Sequence, residues 1–183
     1  VHVRARGRGV VGAQQLVEGD EGGGEAGGRV GEEAIVPLLD AGAEVNARGR
    51  YGSTPLHQAD KSNQNPAVLT MLIKAGADLN STTVIGDTPL HLAASYNGNI
   101  DVTARLIKVG ADVNAKNDDD ATPLHLAAAY NENPEIAKLL IRVGADVNTK
   151  RVMSGTPLHI AARYNDKSEV VTLLIQSRAD VNA

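Results

Sequence analysis

Three residue types that often build cores or bind metals are missing: cysteine, phenylalanine and tryptophan do not occur among the 183 residues. Without cysteine, disulfides and thiolate zinc sites are excluded, and the redox compartment stays open. The aromatic residues are four tyrosines. The core therefore has to be built from Leu, Ile, Val, Ala and Met.

Long apolar runs and an excess of positive charge are also lacking. No stretch of about 18 apolar residues occurs, so the sequence predicts no membrane-spanning helix. The formal net charge is −4, which argues against a general nucleic-acid or acidic-membrane surface. The apolar part near the start is too short and interrupted for a signal peptide. We therefore expect a cytoplasmic, monomeric protein that binds neither nucleic acid nor membrane.

What the sequence does contain is a tetrapeptide, Thr-Pro-Leu-His, that occurs four times. The copies begin at Thr54, Thr88, Thr122 and Thr156, so the interval between them is constant. A fixed period of about 34 residues is typical of solenoids, in which short supersecondary units stack on their neighbours. The sequence therefore predicts a series of small interfaces between repeats.

Each repeat carries the signals of two helices. Thr can cap a helix and Pro is favoured at its first position, so the first helix begins at Thr-Pro. The second helix follows an Asn, and its apolar residues show the i, i+3, i+4 spacing of an amphipathic helix. It ends at Gly76, Gly110 and Gly144, because Gly enters a left-handed cap at little cost.

The repeat unit resembles that of the ankyrin repeat family. It consists of a helix, a turn, a second helix that ends at Gly, an extended Ala-Asp-Val-Asn and a variable turn, at this period. The resemblance covers residues from about Glu32 to Ala183. It implies an all-α repeat solenoid of stacked helix-turn-helix units with β-turn or hairpin fingers. Family members usually repeat about every 33 residues, and the extra residue here falls between the two helices. That loop carries an Asn in every copy, so we interpret it as a shared structural device: Asn63, Asn97, Asn131 and Asn165.

We predict four repeats, over residues 54–87, 88–121, 122–155 and 156–183, preceded by a degenerate repeat over 32–53. In the degenerate copy Pro37 falls inside the second helix, where it would cost about 3 kcal/mol. Gln58 and Asp60 in the next copy could supply a polar outer face. Arg178 replaces the terminating Gly of the last copy, which costs about 1 kcal/mol if the left-handed conformation is kept. Nothing there resembles a cap, so we expect a longer array or a last repeat that frays.

Residues 1–31 have a different composition, rich in Gly and Arg, and we expect them to be disordered. Positions 7–12 read Gly-Arg-Gly-Val-Val-Gly, which fits the Gly-x-Gly-x-x-Gly dinucleotide fingerprint. That fingerprint needs a buried strand, a helix and a return strand. Here arginines would lie in the first strand and a Gly-rich run takes the place of the return strand. We interpret the match as chance composition and predict no cofactor.

The histidines of the repeated motif are the obvious candidates for chemistry, since His is the commonest general base and metal ligand. Successive copies should stand about 10 Å apart, too far to share a metal. We predict that each imidazole hydrogen-bonds backbone in the turn, as the resemblance also implies. No nucleophile elbow, zinc-protease or phosphate-loop motif occurs, so we predict that the protein is not an enzyme. The four histidines are His57, His91, His125 and His159.

The turns that vary between copies are the candidate binding residues. In ankyrin repeats the turn tips and the exposed edge of the first helix line a concave surface that binds partners. Exposed apolar residues at a tip gain nothing from folding and are better explained by a contact, although they could instead pack against neighbouring fingers. On this sequence the tips are Arg50, Tyr51, Val84, Ile85, Asp118, Asp119, Val152 and Met153.

Asp118, Asp119 and Asp120 form an acidic run at one of these tips. They lack the Gly and the distal Glu of a calcium loop. We interpret them as a solvated turn or one that faces a basic partner segment.

Tyr96, Tyr130 and Tyr164 occupy one position in three successive copies, near the end of the first helix. By resemblance this position faces the groove, where the rings would form a row of a residue type enriched at interfaces. Alternatively, each ring covers the lengthened loop beside its Asn. The two interpretations are compatible.

The Asn of Ala-Asp-Val-Asn, at Asn80, Asn114 and Asn148, should brace its turn. In ankyrin proteins of animal cells the equivalent Asn can be hydroxylated.

For the whole chain we predict a non-catalytic scaffold that binds a partner protein through its concave surface. Two alternatives stay open: a targeting module for a catalytic domain elsewhere in a longer protein, or a purely structural spacer.

Overall fold

The computed structural model describes residues 37, 39–62, 66–152, 155–164 and 168–182, without the side chains of residues 60–62. The fingerprint at positions 7–12 and the Asn at positions 63 and 165 lie outside the described residues. The described residues contain eight α-helices in four pairs. They are α1 (Pro55–Ser62), α2 (Pro66–Lys74), α3 (Pro89–Tyr96), α4 (Ile100–Lys108), α5 (Pro123–Tyr130), α6 (Pro134–Arg142), α7 (Pro157–Tyr164) and α8 (Ser168–Gln176).

The first helix of each pair begins at the Pro of Thr-Pro-Leu-His, as predicted. Thr88 and Thr122 stand in extended conformation immediately before α3 and α5. Pro suits the first helical position because its missing N–H would have no partner there. In α4 and α6 the preceding Asn99 and Asn133 accept a hydrogen bond from the backbone two residues on. The start signals in the sequence are therefore local ones.

The helices form two rows. The first helices stack in the order α1, α3, α5, α7, and the second helices stack beside them in the order α2, α4, α6, α8. Neighbours in the first row pack more closely than neighbours in the second. The first row can do so because its contacts are made by alanines, such as Ala93, Ala127 and Ala161, that are almost completely buried. The first helices therefore form the more closely packed of the two rows.

Helix ends follow the Gly prediction. Gly76, Gly110 and Gly144 have φ of +92°, +104° and +102°, the left-handed conformation that lets a helix stop. Arg178 occupies the same place after α8 with φ of +66°. The left-handed conformation is therefore kept without Gly, and the cost of about 1 kcal/mol applies.

The lengthened loop between paired helices is held by its Asn. Asn131 is buried, and its amide donates to the carbonyls of Ala94 (2.8 Å) and Asn97 (3.2 Å) in the preceding repeat. The side-chain oxygen of Asn131 accepts from the Asn133 backbone N–H at 2.8 Å. Asn97 is buried as well and accepts from the Asn99 N–H at 2.9 Å. The side chain of Asn131 therefore joins its repeat to the preceding one.

The partial repeat packs on the array through a few side chains. Leu39, Ala43 and Val45 contact the core cluster that contains Leu56 and Leu72. Pro37 is helical, and its carbonyl accepts a hydrogen bond from the Ala41 N–H at 3.0 Å. Residues 31–36, which precede Pro37, lie outside the described part, so the cost expected for a proline inside this helix stays a prediction.

The first helix of the next repeat carries the polar residues expected at an outer face. Gln58 is half-buried, and its amide donates to the Ser53 hydroxyl at 3.1 Å. The Asp60 side chain lies outside the described part.

Candidate functional site

Three of the four motif histidines bond to the finger that leads into the next helix pair. The Nε2 of His57, His91 and His125 lies 3.0, 2.9 and 3.3 Å from the backbone carbonyl oxygen of the last residue before the next Thr-Pro-Leu-His. A carbonyl can only accept, so Nε2 carries the proton. Nδ1 then accepts from the backbone N–H of the motif Thr, at 3.1 Å in two copies and 3.2 Å in the third. The prediction that these imidazoles bond backbone is confirmed.

This arrangement keeps the three rings neutral. Burial lowers the pKa of His57 and His91 from the ordinary value of 6.5, against the opposing effect of the hydrogen bond to the carbonyl. Burial lowers the pKa of His125 to about 4. A neutral ring whose two nitrogens are both hydrogen-bonded has neither a free lone pair for a metal nor a proton to exchange with a substrate. These histidines therefore serve structure.

The fourth histidine differs because no described residue covers it. His159 is exposed, and its Nδ1 lies 3.4 Å from the Thr156 backbone nitrogen and 2.9 Å from the Thr156 hydroxyl oxygen. His159 therefore repeats the Nδ1 bonds to the Thr of its own motif. A bond from its Nε2 to a backbone carbonyl is not observed among the described residues.

The fingers between repeats are stacked through their backbones. The Val84 N–H donates to the Tyr51 carbonyl at 2.9 Å, and the Asp118 N–H donates to the Ile85 carbonyl at 3.2 Å. A Cβ at Gly86 would lie 2.6 Å from the backbone nitrogen of Asp118, so this contact requires Gly. The first three tips are thus held at a fixed distance from each other.

The apolar side chains of the tips point away from this ladder. Tyr51, Val84, Ile85 and Val152 are 58–77% exposed. Side chains that packed against each other would be largely buried, so this exposure does not fit the alternative in which the tips pack together. Arg50 is exposed too, while Met153 lies outside the described residues.

The acidic tip is partly neutralised. Asp119 pairs with Arg151 of the next finger at 2.6 Å, and Asp120 pairs with Lys116 at 3.3 Å. Asp118 makes none of the ion pairs found in the described part of the chain. The Asp119 side chain remains 69% exposed despite its pair. The tip therefore still presents negative charge, but less than three isolated carboxylates would.

The tyrosine row is exposed in all three copies. Tyr96, Tyr130 and Tyr164 end α3, α5 and α7 and are 49–57% exposed. These helices form the closely packed row, so the three exposed rings stand at the same end of successive first helices. The guanidinium of Arg163 lies 5.1 Å from the centroid of the Tyr164 ring, within the range of a cation–π contact.

The extended Asn residues brace their turns across repeats. The Asn114 amide donates to the Gly144 carbonyl at 3.1 Å, and its oxygen accepts from the Asp146 N–H at 2.9 Å. Asn148 repeats both bonds with Arg178 and Asp180. Asn46 of the partial repeat makes them with Gly76 and Asp78. For Asn80 the structure shows an exposed side chain and a backbone N–H bonded to the Asp78 carboxylate.

The predicted site residues within the described ranges thus fall into two rows, the tips and the ends of the first helices, and the fold places both along one array. Sequence reasoning missed the partners of the acidic tip, Lys116 and Arg151. A signal existed, because Arg151 follows Asp119 at an interval close to one repeat. It also missed the left-handed conformation of Tyr51, for which the adjacent Gly52 was a weak signal of a tight turn.

No group of three or more metal-ligating side chains comes together within the described ranges. In the same part of the chain, none of the helices has the length and apolar character needed to cross a membrane.

Comparison with known proteins gives one result. The family model described as ankyrin repeats (three copies) matches the chain over residues 28–117 and again over residues 90–183. No curated protein matches the chain.

Proposed function

Since the chain belongs to the ankyrin repeat family, we propose that it is a non-catalytic recognition module that binds a partner protein through its finger tips and first-helix ends. Ankyrin repeats are generally protein–protein interaction modules. In this proposal the partner contacts the two rows together. The acidic tip favours a partner segment that contains Lys or Arg.

The observation that carries the proposal is where the large exposed apolar side chains lie. Eleven such residues occur in the described part of the chain, and seven of them stand in the two rows. Exposed apolar surface gains nothing from folding, and its concentration in one region is typical of an interaction site. Tyr is also among the residues that contribute most to binding energy at interfaces. The seven are Tyr51, Val84, Ile85, Tyr96, Tyr130, Val152 and Tyr164.

The binding mechanism is preorganisation. The first three tips are fixed by backbone hydrogen bonds between fingers, and the Tyr-bearing helices pack on one another with buried alanines. Partner binding therefore has little ordering of the scaffold to offset, so more of the contact energy appears as affinity.

Affinity capture with matched variants tests the proposal. The wild-type array is compared with a tip variant, Val84→Ser, Ile85→Ser and Val152→Ser. The control carries the same change at three exposed apolar positions outside the two rows, Val109→Ser, Val143→Ser and Ile175→Ser. Circular dichroism and urea unfolding confirm that all three arrays are folded.

We expect a protein that the wild type and the control retain and that the tip variant loses. Equal retention by all three arrays, or loss from the control as well, would contradict the assignment of the surface. Absence of any retained protein would count against a recognition module and favour a spacer.

A further inference from the structure

The buried apolar residues of the described repeats form two clusters. The first cluster comes from α1–α4 and contains Leu72 and Leu106. The second cluster comes from α5–α8, with one residue of α3, and contains Leu140, Leu174 and Ala94. Apolar contact is therefore continuous from α1–α2 to α3–α4 and from α5–α6 to α7–α8. The core is divided where α3–α4 meets α5–α6, and this contact is the central junction of the array.

Helix α4 lies at the division, because two of its faces contact different clusters. Val102 and Leu106 are four residues apart and belong to the first cluster. Ile100 and Ile107 pack against the second cluster, and Ile107 contacts the first as well. Residues three and four apart share a helix face. Thr103 is three residues after Ile100 and four before Ile107, so it lies in the middle of the face that packs against the second cluster.

Thr103 places a polar atom in this apolar contact. Its side chain is 0% exposed, and its hydroxyl has no hydrogen-bond partner among the described residues. A buried hydroxyl without a partner costs free energy, because it has lost its bonds to water. The same position holds Leu69 in α2 and Ala137 in α6, and these residues belong to the first and second clusters. The central junction therefore has a hydroxyl where the two other junctions have apolar side chains.

Buried hydrogen bonds help to hold the central junction together. The Asn131 amide donates to the carbonyls of Ala94 and Asn97, and the Asn133 amide donates to the Gly98 carbonyl at 2.8 Å. When two layers separate, water replaces such bonds and also reaches the buried hydroxyl, whereas exposed apolar surface has no such compensation. Separation should therefore cost less here than at a junction whose apolar core is continuous.

We propose that the array opens first at the central junction, as two cooperative units made of α1–α4 and α5–α8, and that Thr103 lowers the cost of this opening. The closed array is the native form, and the opened array is a minor state of the folded protein. Repeat arrays permit this because each layer contacts only its neighbours. This property goes beyond the proposed function and does not depend on it.

One consequence concerns partner binding. The tips Val84 and Ile85 belong to the first unit, and the tip Val152 belongs to the second. A partner that contacts tips of both units binds the closed array alone and would therefore stabilise it.

Hydrogen–deuterium exchange of the full chain, followed by mass spectrometry at several low urea concentrations, measures the opening of each helix. Thr103→Val removes the hydroxyl and keeps the shape of the side chain. Thr70→Val is the matched control, since it makes the same change in α2, where the hydroxyl donates to the Pro66 carbonyl at 2.8 Å. Ala137→Ser adds a hydroxyl at the equivalent position of α6. Circular dichroism confirms that all variants are folded.

We expect α3–α4 and α5–α6 of the wild type to open with different urea dependences. Thr103→Val should slow exchange in α4 and α6 about tenfold and bring the two dependences together, because the unpaired hydroxyl is gone. Thr70→Val should leave the two dependences distinct. Ala137→Ser should speed exchange in α8 and separate it from α6.

A single shared opening of α3–α6 in the wild type, or a division at another junction, would overturn the proposal. Unchanged or faster exchange in Thr103→Val would overturn it as well, and so would an equal gain from Thr70→Val or no effect of Ala137→Ser. No partner enters these measurements, so their failure leaves the recognition function standing, and failure of the affinity capture leaves the hinge at the central junction standing.

Discussion

Three described residues other than glycine have a positive φ, and they differ in how well they tolerate it. Asp120 (59°) has a short polar side chain, which suits the left-handed region. Arg178 (66°) replaces a helix-ending Gly and so follows the repeat. Tyr51 (60°) has a bulky ring that is 70% exposed and therefore gains little from packing. Strain without a compensating contact within the fold is typical of residues kept for function.

The first prediction concerns this strain. Tyr51→Asn should raise the free energy of unfolding by about 1 kcal/mol, because Asn enters the left-handed region more easily and little packing is lost. Urea unfolding with an unchanged m-value measures the difference. Tyr51→Ala is the matched control, since it removes the ring and keeps the strain. An Asn variant no more stable than the Ala variant would contradict the argument.

At the scale of elements, two kinds of Asn join neighbouring repeats. One lies in the loop between paired helices and the other ends the Ala-Asp-Val-Asn segment, and they differ in burial. Asn131 is buried and donates to two carbonyls of the preceding repeat. Asn114 makes two bonds to the following repeat and is exposed. A buried polar group that loses its partner costs more than an exposed one, because water cannot replace the bond.

The two residues therefore predict different costs. Asn131→Ala should lower the free energy of unfolding by about 2–3 kcal/mol, since it leaves buried carbonyls without a donor. Asn114→Ala should lower it by about 1 kcal/mol, because water reaches the freed groups. Both are measured by urea unfolding of the full chain. Equal costs would show that the longer loop is not a buried connection between repeats.

At the scale of the whole molecule, the neutral histidines hold the backbone just before each following helix pair and make stability depend on pH. The charged groups that influence His57 are Arg48 and Asp87, and those near His91 are Asp87 and Asp112. Arg151 and Lys116 add to the effect of burial at His125. In each case the folded-state pKa lies below the unfolded value of 6.5.

The sign of the effect follows from proton binding. Between pH 6.5 and the lowered pKa the unfolded chain binds more protons, so stability falls as the pH falls through this window. For His125, with a pKa of about 4, the loss below pH 4 is about 3 kcal/mol. We expect the urea midpoint to drop between pH 6.5 and 5, with a shallower drop in His125→Asn. A flat midpoint over this range would show that the three rings are not held neutral.

The local parts of this fold could be predicted from the sequence. Thr-Pro starts, Asn caps and Gly stops depend on groups within about four residues of each other, and the structure places the helices where these signals lie. The constant spacing of Thr-Pro-Leu-His also predicted that the helix pairs stack on one another. The histidines followed for the same reason, since one ring nitrogen bonds to the Thr three residues earlier.

Contacts between layers were harder to predict. The pairing of Asp119 with Arg151 in the next finger and the bonds from Asn131 to a helix end in the preceding repeat depend on how one repeat sits on the next. The repeat pattern predicts which positions recur, as with the loop Asn, but it does not say which atoms of the neighbouring repeat they bond.

The sequence by itself determined that this protein is an array of helix pairs, where each helix begins and ends, and which residues are free to vary. These follow from short-range hydrogen bonding and from the constant period of the repeated motif. Only the tertiary structure decided which variable side chains stay exposed, that the first helices form the more closely packed row, and that two carboxylates of the acidic tip are already paired. Exposure, closeness of packing and pairing between fingers are properties of stacked layers, and a single repeat contains none of them.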